Sequence, residues 1–206
     1  MQRTQMIQKA MATAERLHSQ QVSKISKKPY INHIYKVKDI LSGHTKDENI
    51  ICAGILHDVL EDVKDYDEND MRKEFGSVIT EIVKEVTEDK DPEDIKEKSE
   101  KTWTITKQKY LDHLNEASYE ALMVCAADKL SNLKLLYEVY IKQGDTIWSK
   151  FNASKGKIKW FNQEIIRILK QRLKSRIFDE LENAYNTIGQ KMFEDQTDSY
   201  CQLKSL

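Results

Sequence analysis

Asp47-Glu48-Asn49-Ile50-Ile51-Cys52-Ala53-Gly54-Ile55-Leu56-His57-Asp58-Val59-Leu60-Glu61-Asp62 is the stretch on which the reading of this chain turns. Asp47 is suited to cap a helix, its carboxylate accepting from the first unpaired backbone N–H groups. From Ile50 to Leu56 the interior is almost wholly apolar, and such a helix belongs in a core rather than on a surface. The run then ends in ionisable side chains. Continued as a helix, it sets His57 and Glu61 four apart on one face, and Asp58 and Asp62 four apart on the neighbouring one. Three carboxylates this close repel one another, and a cation relieves the repulsion. Histidine with aspartate is also a ligand set suited to a first-row divalent ion. The plainer alternative, a core helix ending in a solvated acidic turn, stays open on this stretch alone.

Outward from this segment the chain predicts an all-α fold of about eight to ten helices in one domain. Only 2 prolines and 6 glycines punctuate the 206 residues, too few for a sandwich or barrel of many short strands. The expected helices cover residues near 3–19, a second capped by Asn32 and stopped by Gly43, and a third capped by Asp47. A helix before Gly76 and another over 77–88 follow, then helices over 104–115, 118–143 and one or two across 157–192. Residues 88–100 read as a charged loop or solvated helix. The domain is placed at 1–195, with a frayed tail at 196–206.

The formal net charge of −1 gives no global field toward nucleic acid or membrane. No apolar run approaches the roughly 18–20 residues of a membrane span. The N-terminal stretch is amphipathic and lacks the apolar core and cleavage site of a signal peptide. Cys52, Cys125 and Cys201 show no paired spacing, and the first two lie in apolar helical runs, so free buried thiols in a reducing cytoplasm are expected.

Asp128 raises the weight of the metal reading. It follows Ala121-Leu122-Met123-Val124-Cys125-Ala126-Ala127, and a carboxylate drawn into a core without a partner costs several kcal/mol or more. Something positive must meet it. Lys129 is adjacent in sequence but projects about 100° away on the helix, a poor partner. Asn132, one turn on, shares the face of Asp128. A structural ion pair with a distant basic residue is the alternative. His33, early in the second helix, reads by itself as a partly buried histidine with a backbone partner.

The order of these pieces resembles the HD superfamily of metal phosphohydrolases, and within it the hydrolase domain of Rel/Spo-type alarmone enzymes, above all their small stand-alone forms. The matching residues are His18 with Gln21, Pro29-Tyr30-Ile31-Asn32-His33, His57-Asp58-Val59-Leu60-Glu61-Asp62, Phe75-Gly76, Val86-Thr87 and Ala127-Asp128-Lys129-Leu130-Ser131-Asn132-Leu133. The resemblance implies one ion, Mn²⁺, on His33, His57, Asp58 and Asp128. It implies that Glu61 and Asp62 position and deprotonate the attacking water, and that Asn132 lines a nucleotide pocket. Lys24, Tyr30, Lys129 and Lys134 are added as substrate-binding candidates. The implied reaction removes the 3′-pyrophosphate of (p)ppGpp, giving GDP or GTP and pyrophosphate. Hydrolysis alone is expected, since the chain has no room for a synthetase domain.

Three positions depart from the family pattern. Val22-Ser23-Lys24-Ile25-Ser26 lacks the arginine that stacks on the guanine, Cys125 stands where a lysine is common, and Ile34 replaces the usual proline. Lysine has no planar face to stack on a purine. The alternative function is therefore an HD phosphohydrolase acting on another nucleotide, such as a different alarmone, NADPH or a nucleoside phosphate. A non-catalytic nucleotide sensor is a third, disfavoured by the intact Glu61-Asp62 pair. The oligomeric state stays open.

Overall fold

The computed structural model describes residues 5–88 and 100–193. In chain order the helices are α1 (Gln5–Leu17), α2 (Ile31–His44), α3 (Glu48–Leu56), α4 (Val59–Asp62), α5 (Glu68–Val86), α6 (Glu100–Leu114) and α7 (Tyr119–Gln143). A 3₁₀ segment, Gly144–Lys150, leads to α8 (Lys155–Arg172) and α9 (Arg176–Ala184), then a π-turn, Tyr185–Gly189, and α10 (Gln190–Phe193). Among the described residues there is no strand, and Val22 and Pro29 form an isolated antiparallel bridge. The chain is all-α, as the scarcity of punctuating residues predicts. No described helix is long and apolar enough to cross a membrane.

Helix α3 is the hub, packing against α1, α2, α5 and α7. Every residue from Ile50 to Leu56 is buried, as its unbroken apolar character requires. The Asp47 side chain accepts from the Asn49 N–H at 2.8 Å and fixes where the helix starts. Gly54 lets α2 come close: a methyl group there would lie 2.1 Å from Leu41 Cδ1. Helix α7 runs alongside, capped by the Ser118 hydroxyl and ended at Gly144, whose φ of 58° is the left-handed backbone glycine tolerates. One apolar core extends from Ile7 to Phe193, and Cys52 and Cys125 are buried free thiols within it.

Several boundaries differ from the sequence reading. Asn32 does not cap α2. Its N–H bonds to the Pro29 carbonyl at 3.2 Å, so the first turn is already wound one residue earlier. Gly43 does not stop α2 either; the helix runs to His44 and ends where Thr45 turns extended. Gly76 does interrupt α5, with φ 83° and ψ 171°, but the helix resumes at once. The stretch over 157–192 divides because Leu173 and Ser175 are extended, which separates α8 from α9. Residues 89–99, the tail at 196–206 and Cys201 lie outside the described residues.

Candidate active site

The largest departure from the sequence reading is also what builds the site. The helix through Leu56 does not continue across Glu61. Instead, His57 Nδ1 donates to the Gly54 carbonyl at 2.8 Å, taking an acceptor that the backbone ladder would use, and α3 ends. Asp58 turns the chain at φ −96° and ψ −1°, and the short α4 begins. Because a carbonyl can only accept, Nδ1 carries a ring proton, and it is Nε2 that points toward the cavity and offers a lone pair whenever the ring is neutral.

The donor atoms of His33, His57 and Asp58 lie within 4.8 Å of one another, and Asp128 reaches the two histidines. His57 Nε2 lies 2.9 Å from Asp58 Oδ2 and 3.4 Å from His33 Nε2. Asp128 Oδ1 lies 3.1 Å from His33 Nε2 and 3.6 Å from His57 Nε2. Ligand–ion bonds of about 2.1 Å place neighbouring ligands at right angles about 3 Å apart, so this spacing fits the edges of one coordination shell. The donors suit a divalent ion of intermediate hardness, with imidazole and carboxylate in equal number.

Supporting bonds fix each donor. His33 Nδ1 meets the buried Ser131 Oγ at 3.0 Å, the Tyr30 hydroxyl donates to Asp58 Oδ2, and Asn132 Nδ2 donates to Asp128 Oδ1 at 2.6 Å. Lys129 is not the poor partner its helical position suggests. Its long stem folds back, and Nζ sits 2.8 Å from Asp128 Oδ2, above the rings of Tyr110 and Phe161. Burial alone would raise the Asp128 carboxyl, but Lys129, His33 and His57 outweigh it and hold it well below the carboxylate range. At Asp58 burial likewise opposes ionisation, and His57 overcomes it. His57 is lifted the other way: burial favours its neutral form, and the two carboxylates more than compensate.

His57, Asp58 and Asp128, with Tyr30, Lys129 and Asn132, line a cavity of about 170 Å³ that Glu61 also lines, whereas His33 and Ser131 border a separate surface recess. Glu61 Oε2 accepts the Glu88 backbone N–H at 3.3 Å. Asp62 is exposed and takes a hydrogen bond from Gln21 Nε2 at 2.7 Å, while the other end of that amide meets His18 Nδ1. Asp62 thus faces a neighbouring surface recess rather than the cavity. Lys24 is exposed and lines neither space. Lys134 bonds Glu180 Oε1 at 2.8 Å on the outer side of α7, which His44 shares through Glu180 Oε2 at 3.0 Å. The cavity lining also includes residues that sequence reasoning passed over: Glu88, Lys107 and Tyr110, with Phe161 from α8. Lys107 and Phe161 lie on ordinary amphipathic helices with no local pattern to single them out.

The helical frame and its buried His/Asp cluster define a metal-dependent hydrolase type of domain, and residues 10–158 match the HD domain family, to which the chain belongs. Among its relatives is guanosine-3′,5′-bis(diphosphate) 3′-pyrophosphohydrolase MESH1 of Drosophila melanogaster, 37% identical over 108 residues, 52% of this chain and 55% of that one. The Xenopus tropicalis MESH1 is 35% identical over 132 residues, 63% of this chain and 68% of its own. The chain spans about half the length of the fly and Danio rerio MESH1 proteins. A solved structure described as a metazoan ortholog of SpoT that hydrolyzes ppGpp superposes with a TM-score of 0.69 over 90% of this chain and 97% of that one, at 22% identity. That likeness concerns the fold.

Proposed function

We propose that this protein hydrolyses the 3′-pyrophosphate of guanosine 3′,5′-bis(diphosphate) nucleotides with one Mn²⁺ held by His33, His57, Asp58 and Asp128. The observation that carries this reading is the clustering of His33 with His57, Asp58 and Asp128, the last three of which line a cavity together with Glu61. MESH1 relatives named for that activity support the choice of substrate. The mixed imidazole and carboxylate set supports Mn²⁺ over the softer, thiolate-seeking ions.

When bound, the ion polarises a phosphoryl oxygen and lowers the pKa of water toward neutrality. Glu61 takes the proton of the attacking water, and its carboxylate is held ready by the Glu88 N–H. The water oxygen joins the phosphorus on the ribose 3′-oxygen, the P–O3′ bond breaks, and the 3′-oxygen leaves with a proton as the hydroxyl of GDP or GTP. The other product is pyrophosphate. Asp62 acts from outside the cavity, holding the 21–30 loop through Gln21, while Tyr30 on the same loop steadies Asp58. Asn132 and Lys129 line the nucleotide side. The two buried thiols support a reducing, cytoplasmic setting.

The exposed position of Lys24 favours a second reading for the base. Without a stacking arginine, adenine and guanine substrates are discriminated weakly. The test is purified protein with Mn²⁺ and a nucleotide panel, its products separated by chromatography. GDP and pyrophosphate from ppGpp are expected. A panel in which other nucleotides are cleaved and ppGpp is left intact assigns the site to a different substrate.

A further inference from the structure

A second charged group lines the same cavity as His57, Asp58 and Asp128. Lys107 Nζ lies 2.7 Å from Glu88 Oε2, the lysine side chain 20% exposed and the glutamate 8%. The ammonium is also 5.0 Å from the centroid of the Phe161 ring and 5.7 Å from that of Trp103, so its methylene stem and head are both fixed. Glu88 Oε1 is buried and has no hydrogen-bond partner among the described residues. Lys129, the other basic residue of the cavity, is committed to Asp128.

We propose that Lys107 binds the terminal phosphate of the substrate's pyrophosphoryl group, and that Glu88 makes this binding selective for pyrophosphate over monophosphate esters. The inference rests on the reading of the cavity as a phosphohydrolase site. The phosphorus under attack must sit by the His/Asp cluster, and the phosphate beyond it then needs a cation away from that cluster. Lys107 lines the same cavity and is paired with Glu88 rather than with the cluster. In the free protein Glu88 neutralises Lys107 and repels any anion that approaches. A terminal phosphate brings enough charge to draw the ammonium across, in short charge-assisted hydrogen bonds. A single phosphate at the cluster does not reach Lys107 and meets only the acidic wall.

The test uses inorganic pyrophosphate as the probe, by calorimetric binding and as an inhibitor, beside hydrolysis of a nucleoside 3′-diphosphate and its 3′-monophosphate. Lys107→Met is expected to weaken pyrophosphate binding and kcat/KM for the diphosphate by roughly tenfold to a hundredfold, with metal content unchanged and partial rescue by Lys107→Arg. Because Lys107→Met leaves a buried carboxylate unpaired, Lys107→Met/Glu88→Gln removes both charges and separates binding from folding. Glu88→Gln alone is expected to narrow the preference for diphosphate over monophosphate by about tenfold. Pyrophosphate affinity unchanged in a folded double variant, or an unchanged preference in Glu88→Gln, overturns the proposal. Since pyrophosphate binding does not depend on the nucleotide, a wild type that ignores ppGpp yet loses pyrophosphate on Lys107→Met refutes the assigned substrate and leaves this inference standing.

Discussion

In the His/Asp cluster each side chain is held by a neighbour of its own: Ser131 behind His33, the Gly54 carbonyl behind His57, Tyr30 against Asp58, Asn132 and Lys129 against Asp128. Elsewhere in the cavity lining Lys107 has one carboxylate and two aromatic rings, and Glu88 keeps an oxygen unpaired among the described residues. The cluster is preorganised, so its donors need not move when an ion arrives. Lys107 and Glu88 form an ion pair that an anion can exchange. If the proposed roles hold, the contrast assigns chemistry to the firmly held cluster and selection to the exchangeable ion pair, each with the rigidity its task needs.

Removing a cluster ligand gives the largest effect. Asp128→Ala should abolish tight divalent-ion binding and lower activity on the order of a thousandfold or more, since the ion supplies several kcal/mol of transition-state stabilisation. Elemental analysis of the purified variant, set beside its rate, decides this. Full metal occupancy would take Asp128 out of the ligand set.

Glu61→Gln sharpens the division by separating the ion from the proton. It keeps the side chain's shape and its bond from the Glu88 N–H, so metal content should match the wild type while the rate falls about a hundredfold. A near-wild-type rate would take Glu61 out of the role of base. Tyr30→Phe probes the support behind the cluster. Losing the hydroxyl that orients Asp58 should weaken metal affinity about tenfold, read by competition with a chelator, and excess Mn²⁺ should restore most of the rate. An ion held as tightly as before would leave Tyr30 with a packing role only.

The smallest effect belongs to the base. Lys24→Arg supplies a planar cation, and a gain of about threefold in KM for ppGpp, with kcat unchanged, is expected from new stacking. Steady-state curves for guanine and adenine substrates measure it. Equal KM values in both proteins would place base recognition away from the 22–26 loop.

His57, Asp58 and Asp128 were legible in the sequence because each breaks a local expectation. Asp128 ends seven apolar residues, and His57-Asp58 ends another apolar run. The Pro29–His33 pattern added His33, which by itself reads as an ordinary histidine. The break between α3 and α4 was not legible, because it depends on the His57 ring competing for the Gly54 carbonyl, a choice that helical periodicity does not encode. The reach of Lys129 back to Asp128 was missed for a related reason: a helical wheel gives the direction of Cβ, and a four-carbon stem can undo it. The rest of the lining was invisible. Lys107 and Phe161 come together only when α6 packs against α8, and their own helices give no sign of it.

Gly54 touches neither an ion nor a nucleotide, yet it serves as a spacer of zero thickness between the helices that carry His33 and His57. With Leu41 Cδ1 filling the place of its absent methyl, a side chain of α2 rests directly on the backbone of α3. The histidines carried by those two helices face each other with 3.4 Å between their Nε2 atoms. A side chain at position 54 would meet Leu41 and press on the packing of the two helices that carry them. The fit between those helices thus depends on a residue that has no side chain.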